Sequence, residues 1–316
     1  MSKIVKSGPN KAGPGKSGLS MGVMVALGVA IAVACGFGKA HAESVKFPDA
    51  AHERFSVTVT GTGPDVILIP GLASSGAVWD QTVAKFKGQY RLHVLNLAGF
   101  AGEPAGANAS GEILTPSVEA LDAYIKANHL KTPTVVGHSM GGLMTLMLAK
   151  AHPEDAGKLI IVDALPYVGV IFNPAATVEA MKPTATAMRG GIEQASADGF
   201  KAQQQASTGR MTAAPANQKL VLDWSVTSDR HVFAQAFYED LTTDLRPDVA
   251  AIKTPTVLFY PLYAAAGQTA EMIEPVYKTS YAGMPNFSMV RIDNSLHFEM
   301  LDQPEAFAKA LGDALK

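Results

Sequence analysis

Val135-Val136-Gly137-His138-Ser139-Met140-Gly141-Gly142 is the stretch on which the fold turns. A β-branched run, Thr134–Val136, enters Gly-x-Ser-x-Gly, and an Ala/Leu/Met-rich helix candidate, Leu143–Ala151, leaves it. Such a serine is held on a sharp strand-to-helix bend with its Oγ clear of the sheet. Gly137 and Gly141 fit because side chains there would strike the bend and the neighbouring strand. A helix starting at Met140 also points its positive end at any negative charge that develops beside the serine. Gly-x-Ser-x-Gly alone occurs in many turns; the flanking strand and helix give it meaning.

Outward from this point, short β-branched runs alternate with amphipathic stretches. Strands are expected at Phe55–Thr60, Asp65–Ile69, Arg91–Leu95, Thr134–Val136, Leu159–Val162, Thr256–Tyr260 and Ser288–Ile292. Helices are expected at Ser117–Ala127, Leu143–Ala151, Val232–Leu241, Ala270–Tyr281 and Pro304–Leu315, with Thr115-Pro116 as a capping start and Pro153 as a stop. The alternation predicts an α/β fold, a mostly parallel sheet with helices on both faces. Residues from about 166 to 228 break the rhythm with an Ala-, Gln- and Met-rich helical stretch that has no strand-like run. Its place after a strand's C-terminal end, where open α/β sheets bind ligands, suggests a cap; a plain helical excursion is the alternative.

Two further segments carry chemistry. Val66-Ile67-Leu68-Ile69-Pro70-Gly71-Leu72 is a buried strand ending in a Gly-rich loop. There the backbone N–H of Leu72 is expected to join that of Met140 in holding an oxyanion, about 3–4 kcal/mol per donor. His297 lies in Asp293-Asn294-Ser295-Leu296-His297-Phe298, between the last strand and the C-terminal helix, where it can act as general base to Ser139. His52, His93, His129, His152 and His231 read as structural or solvated, and His138 as a packing residue.

With these motifs in this order, the chain resembles the α/β-hydrolase superfamily, in the branch of small esterases and acyl hydrolases with a helical cap. The similarity runs from about Phe55 to the C-terminus, roughly four-fifths of the chain. Two departures stand out. Pro70-Gly71 replaces the usual His-Gly, at little cost because the donor is a main-chain group. The strand after the cap, where most relatives carry the triad Asp, continues Pro261-Leu262-Tyr263-Ala264-Ala265-Ala266-Gly267 with no carboxylate. Asp163, ending the preceding strand as in pancreatic-type lipases, is the leading candidate. Glu271, Glu274 or no working acid remain open. Asp244-Leu245-Arg246-Pro247 resembles a structural pattern of the family.

Lys3, Lys6, Lys11 and Lys16, an apolar run from about Met21 to Phe37, and Ala40-His41-Ala42 make residues 1–42 read as a signal peptide cut after Ala42. An uncleaved anchor or lipidation at Cys35 are the alternatives. The 26 basic side chains of the whole chain, less five lysines in that segment, leave 21 against 28 acidic ones, a net charge of −7 over residues 43–316. That balance argues against nucleic acid or an anionic membrane as the main partner, and no stable membrane association is expected after cleavage. Cys35 is the only cysteine, so the remainder forms no internal disulfide; an exported, periplasmic or secreted location is expected. Gly15-Lys16-Ser17 lacks the first glycine of a phosphate loop, Gly61-Thr62-Gly63 precedes its strand, and no spacing suggests a metal; no cofactor is expected.

The expected activity is cleavage of a small-molecule carboxylic ester or related acyl bond through an acyl-enzyme. Lactonase, peptidase, lyase and peroxidase chemistry share the same serine frame. A binding protein on a degenerate version of the fold is the alternative of a different class.

Overall fold

The computed structural model describes Phe47 and residues 53–316, so the expected signal segment and its cut after Ala42 lie outside the described residues. Seven strands, β1 (Phe55–Thr60), β2 (Asp65–Ile69), β3 (Arg91–Leu97), β4 (Thr134–His138), β5 (Lys158–Val162), β6 (Thr256–Leu262) and β7 (Phe287–Asp293), form one sheet in the order β1-β3-β2-β4-β5-β6-β7. Only β1 runs antiparallel to its neighbour; every other pairing is parallel. Strand alternation sends Ile67, Ile69, Val135, Leu159 and Ile161 into one core, and Val66, Leu68, Val136, Ile160 and Val162 into another. Central strands therefore read as unbroken apolar runs, because both faces are covered.

On the first face pack α2 (Leu114–Ala127), α3 (Met140–Ala151), α7 (Arg230–Thr242) and α8 (Ala270–Ser280); on the second, α1 (Asp80–Phe86) and α10 (Pro304–Ala314). Thr115 does not cap α2, which begins one residue earlier. The Glu239 carboxylate of α7 accepts from the N–H groups of Ile113 (2.9 Å) and Leu114 (2.7 Å), and does the capping from another helix.

Residues 166–228 hold α4 (Val178–Gln194), α5 (Ala197–Met211) and α6 (Pro215–Thr227) and no strand. Arg246 ties the base of this insertion to the sheet domain. Its guanidinium bonds Asp244 (2.6 Å) and the Ala176 carbonyl (2.9 Å) and lies over the Tyr167 ring. The Leu245 N–H reaches the Pro166 carbonyl at 2.8 Å.

Candidate active site

Ser139 joins β4 to α3 at φ 54°, ψ −125°. A non-glycine residue in that region carries about 1–3 kcal/mol of strain, and persists only when its surroundings impose it. The surroundings are tight. Added Cβ atoms would stand 2.1 Å from the Gly141 carbonyl oxygen at Gly137 and 2.6 Å from the Ile69 and Pro70 oxygens at Gly141. The Ser139 N–H meanwhile reaches the Val162 carbonyl at 2.9 Å, extending the β4–β5 ladder by one rung as the chain leaves the sheet. The Gly71 loop passes so close that a Cβ there would sit 3.0 Å from Ser139 Cβ. The N–H groups of Leu72, which follows Gly71, and of Met140, which follows Ser139, have no acceptor among the described residues.

Asp163 repeats the device one strand along. It ends β5 at φ 41°, and its N–H reaches the Phe259 carbonyl of β6 at 2.9 Å. One carboxylate oxygen lies 2.6 Å from His297 Nδ1, and the other accepts from the Tyr277 hydroxyl of α8. Burial opposes charge on Asp163, but His297 and Tyr277 outweigh it and hold the carboxyl below its ordinary range. Burial, then the Asp163 charge, pushes Tyr277 far above the ordinary phenol value, so it stays protonated and donates. Ser139, Asp163, Tyr277 and His297 line one cavity of about 570 Å³, with Leu165, Val170 and Ile171 among its apolar walls. Glu271 and Glu274 do not line it. Glu274 is taken by the Tyr260 hydroxyl (2.8 Å) and Lys278 (2.7 Å), and Glu271 is exposed at the start of α8.

His138, next to the serine, is buried. Its Nε2–H donates to the His297 carbonyl at 2.8 Å, and its ring packs against those of His297 and Phe298 at 4.6 and 4.7 Å. Burial and the neighbouring His297 push it down to about 3, so it is a neutral strut under the His297 loop. Glu299 opens the short helix α9 (Glu299–Asp302), fully buried with neither carboxyl oxygen partnered. Burial, then the Asp163 charge, raises it well above the ordinary value, so no second anion stands beside Asp163. His93 bonds Tyr124 and Asp65, and His231 bonds Glu193. His152 bridges Glu119 and Asp122, bringing together three potential metal ligands that sequence spacing did not reveal. Lys126 also pairs with Asp122, and the group is a surface ion-pair network.

Sequence reading missed Tyr277 and Glu299. Tyr277 stands four residues after Ile273 on one face of α8, and both line the cavity; that spacing was the available signal. Glu299, two residues past His297, stands among Leu296, Phe298, Met300 and Leu301, and that apolar setting was the available sign of its burial.

A profile of the alpha/beta hydrolase family matches residues 66–310. Among curated proteins, the pimeloyl-[acyl-carrier protein] methyl ester esterase of Vibrio atlanticus is 34% identical over 116 residues, 37% of this chain and 42% of that enzyme. The chain thus spans about two fifths of the length of the curated relatives it matches. Two solved structures share the fold at 18% identity. A hydrolase from Pseudomonas aeruginosa superposes with a TM-score of 0.69 over 87% of this chain and 99% of its own. A thermophilic esterase from Thermogutta terrifontis gives 0.69 over 83% and 92%. The chain belongs to the alpha/beta hydrolase family.

Proposed function

We propose that the chain is a serine hydrolase that cleaves a small-molecule carboxylic ester through an acyl-enzyme. The observation that carries this reading is the hydrogen bond from His297 Nδ1 to Asp163 at 2.6 Å, in the same cavity as the strained Ser139. With Nδ1–H committed to a carboxylate, the imidazole keeps its Nε2 lone pair free to accept the Ser139 proton, the tautomer a general base needs. Ser139 Oγ attacks the ester carbonyl as its proton passes to Nε2. The oxyanion forms against the Leu72 and Met140 N–H groups, which have no other acceptor among the described residues. Collapse expels the alkoxide, which takes the proton from Nε2. Water then repeats the sequence on the acyl-serine and releases the acid. Asp163 stays ionised and stabilises the imidazolium; Tyr277 holds the carboxylate in place.

The alternative of a binding protein on a degenerate fold drew its support from the missing acid after the Thr256 strand. The Asp163 contact with His297 speaks against it. A fluorophosphonate probe tests the reading: labelling is expected at Ser139 and is absent from Ser139→Ala. A screen of p-nitrophenyl esters and lactones on the same protein then reports the bond cleaved. Folded native protein that neither labels nor turns over any ester overturns the proposal.

A further inference from the structure

Asp240 lies near the end of α7 and lines the cavity with Ser139 and His297, yet the hydrolytic cycle gives it nothing to do. Its neighbour Glu239 is spent capping α2. The Asp240 carboxyl accepts no hydrogen bond from any described residue; its one described interaction is electrostatic, with His297. It cannot share the Asp163 role, because Nδ1 of His297 is already bonded to Asp163. Arg210 also lines the cavity, but it is exposed and makes no ion pair with Asp240. Much of the remaining wall is aliphatic, including Leu165, Val168, Val170, Ile273 and Val276.

A carboxyl without a partner on an aliphatic cavity wall is costly. Burial pushes this one up to about 7, against the opposing pull of His297. A ligand that brings its own positive charge relieves that cost. Asp163, the other acid of this cavity, is taken by His297 and Tyr277, so Asp240 is the unpaired carboxyl among aliphatic side chains and a complement to an amphiphilic cation: the carboxylate takes the charge and the walls take the carbon skeleton. The net −7 of residues 43–316 also draws cations toward the protein.

We propose that Asp240 is the specificity residue of this cavity and that it binds an ammonium group carried by the ester substrate. The proposal rests on the hydrolase reading and names the class of ester: one with a protonated or quaternary amine on a short carbon chain from the scissile bond. Anionic esters are disfavoured by the same carboxylate.

The test uses the full chain and two matched pairs of esters at about pH 8, where a carboxyl titrating near 7 is ionised. Butyrylcholine against its neutral carbon isostere places the cation on the alcohol side. Methyl aminohexanoate against methyl heptanoate places it on the acyl side. In at least one pair the cationic ester is expected to have the higher kcat/KM by about 10- to 100-fold, the range of a hydrogen bond to a charged group. In Asp240→Asn the ratio within that pair falls by at least about tenfold. Because the readout is a ratio within one protein, a general loss of activity does not imitate it. Calorimetric binding of pentyltrimethylammonium, compared with neutral hexanol, gives a second measurement that needs no turnover. Native protein binds the cation more tightly, and Asp240→Asn abolishes the difference. Turnover without a cation preference, or equal binding of the cation and hexanol, overturns the assignment of Asp240. Absence of all turnover with the cation preference intact overturns the hydrolase reading alone.

Discussion

Replacing Asp163 by Asn exchanges one oxygen for an NH₂ group, and the two contacts of this side chain set the consequence. In the native protein one oxygen accepts from His297 Nδ1 at 2.6 Å and the other from Tyr277. The amide has a single acceptor for two donors. With its oxygen toward Tyr277, the NH₂ donates to Nδ1, the ring carries its proton on Nε2, and it cannot accept from Ser139. With its oxygen toward His297, the working tautomer survives only if the Tyr277 hydroxyl turns to accept from NH₂, and the imidazolium loses its counter-charge. The equivalent exchange costs about 10⁴ in kcat in serine proteases, about 5.4 kcal/mol of transition-state stabilisation. The second arrangement softens this, so kcat is expected to fall by about 10²–10⁴. KM changes little, since the acid acts on the imidazolium and not on bound substrate. The assay is steady-state hydrolysis of the best p-nitrophenyl ester, with circular dichroism to verify the fold. Glu271→Gln and Glu274→Gln serve as controls and stay near native rates. Full activity in Asp163→Asn with loss in either control would refute the reasoning.

Gly137→Ala inserts a methyl group 2.1 Å from the Gly141 oxygen and 2.4 Å from Thr145 Oγ1. A loss of more than about 3 kcal/mol, or insoluble protein, is expected in chemical denaturation, and near-native stability would contradict the packing described for the turn. Asp155 is pushed up to about 7, from an ordinary 3.8, by burial and by the neighbouring Asp122. The folded state keeps a proton there that the unfolded chain releases, so the stability this group contributes is present below pH 3.8 and is lost as pH rises through about 7. Asp155→Asn removes that loss; its Tm is expected to exceed the native value at about pH 8, with the gap closing toward about pH 5. A gap that does not vary with pH argues against a titrating Asp155. For export, periplasmic protein is expected to have the intact mass of a chain starting at Glu43. A full-length membrane-bound product would reverse that expectation.

Much of the sheet was legible because its inner strands are β-branched runs with apolar side chains on both faces; β2 and the alternating Val/Thr edge strand β1 were read to the residue. Strand ends were cut short where the composition turned. Asn96, Gly137 and Pro261 look like breakers, yet β3, β4 and β6 continue through them. Pro261 shows why. β5 pairs with β6 only as far as Phe259, so beyond that point β6 has β7 as its sole neighbour, and an imide nitrogen costs no rung on the open side. The helix α1 lacks a side-chain cap and spans seven residues, too short for periodicity to show. In the cavity, Ser139 and His297 announced themselves through local context. Asp163 could not be separated from Glu271 and Glu274, because what distinguishes them is which carboxylate faces Nδ1, a contact across 134 residues of chain. Asp240 gave no local signal, since helix periodicity says which face is buried but not which buried side chain meets a void.

The position of Asp163 has a consequence for the neighbouring loop. Ser139 and Asp163 end adjacent parallel strands in the same way, each at positive φ, each with its N–H bonded to the next strand's carbonyl. Their side chains therefore leave the sheet at one edge, side by side, and His297 needs only to bridge them. With the carboxylate supplied from β5, the connection from β6 to α8 is free of any charged duty. Pro261, Gln268, Ile273 and Val276 from that connection and helix line the cavity instead, and Tyr277 reaches back to hold the carboxylate. A segment that carries the acid in most relatives here builds wall and brace. Of the apolar sequence Pro261-Leu262-Tyr263-Ala264-Ala265-Ala266-Gly267, which looked like a gap in the machinery, only Pro261 reaches the cavity wall; Ala264 to Gly267 turn out to solvent, where no carboxylate could meet His297.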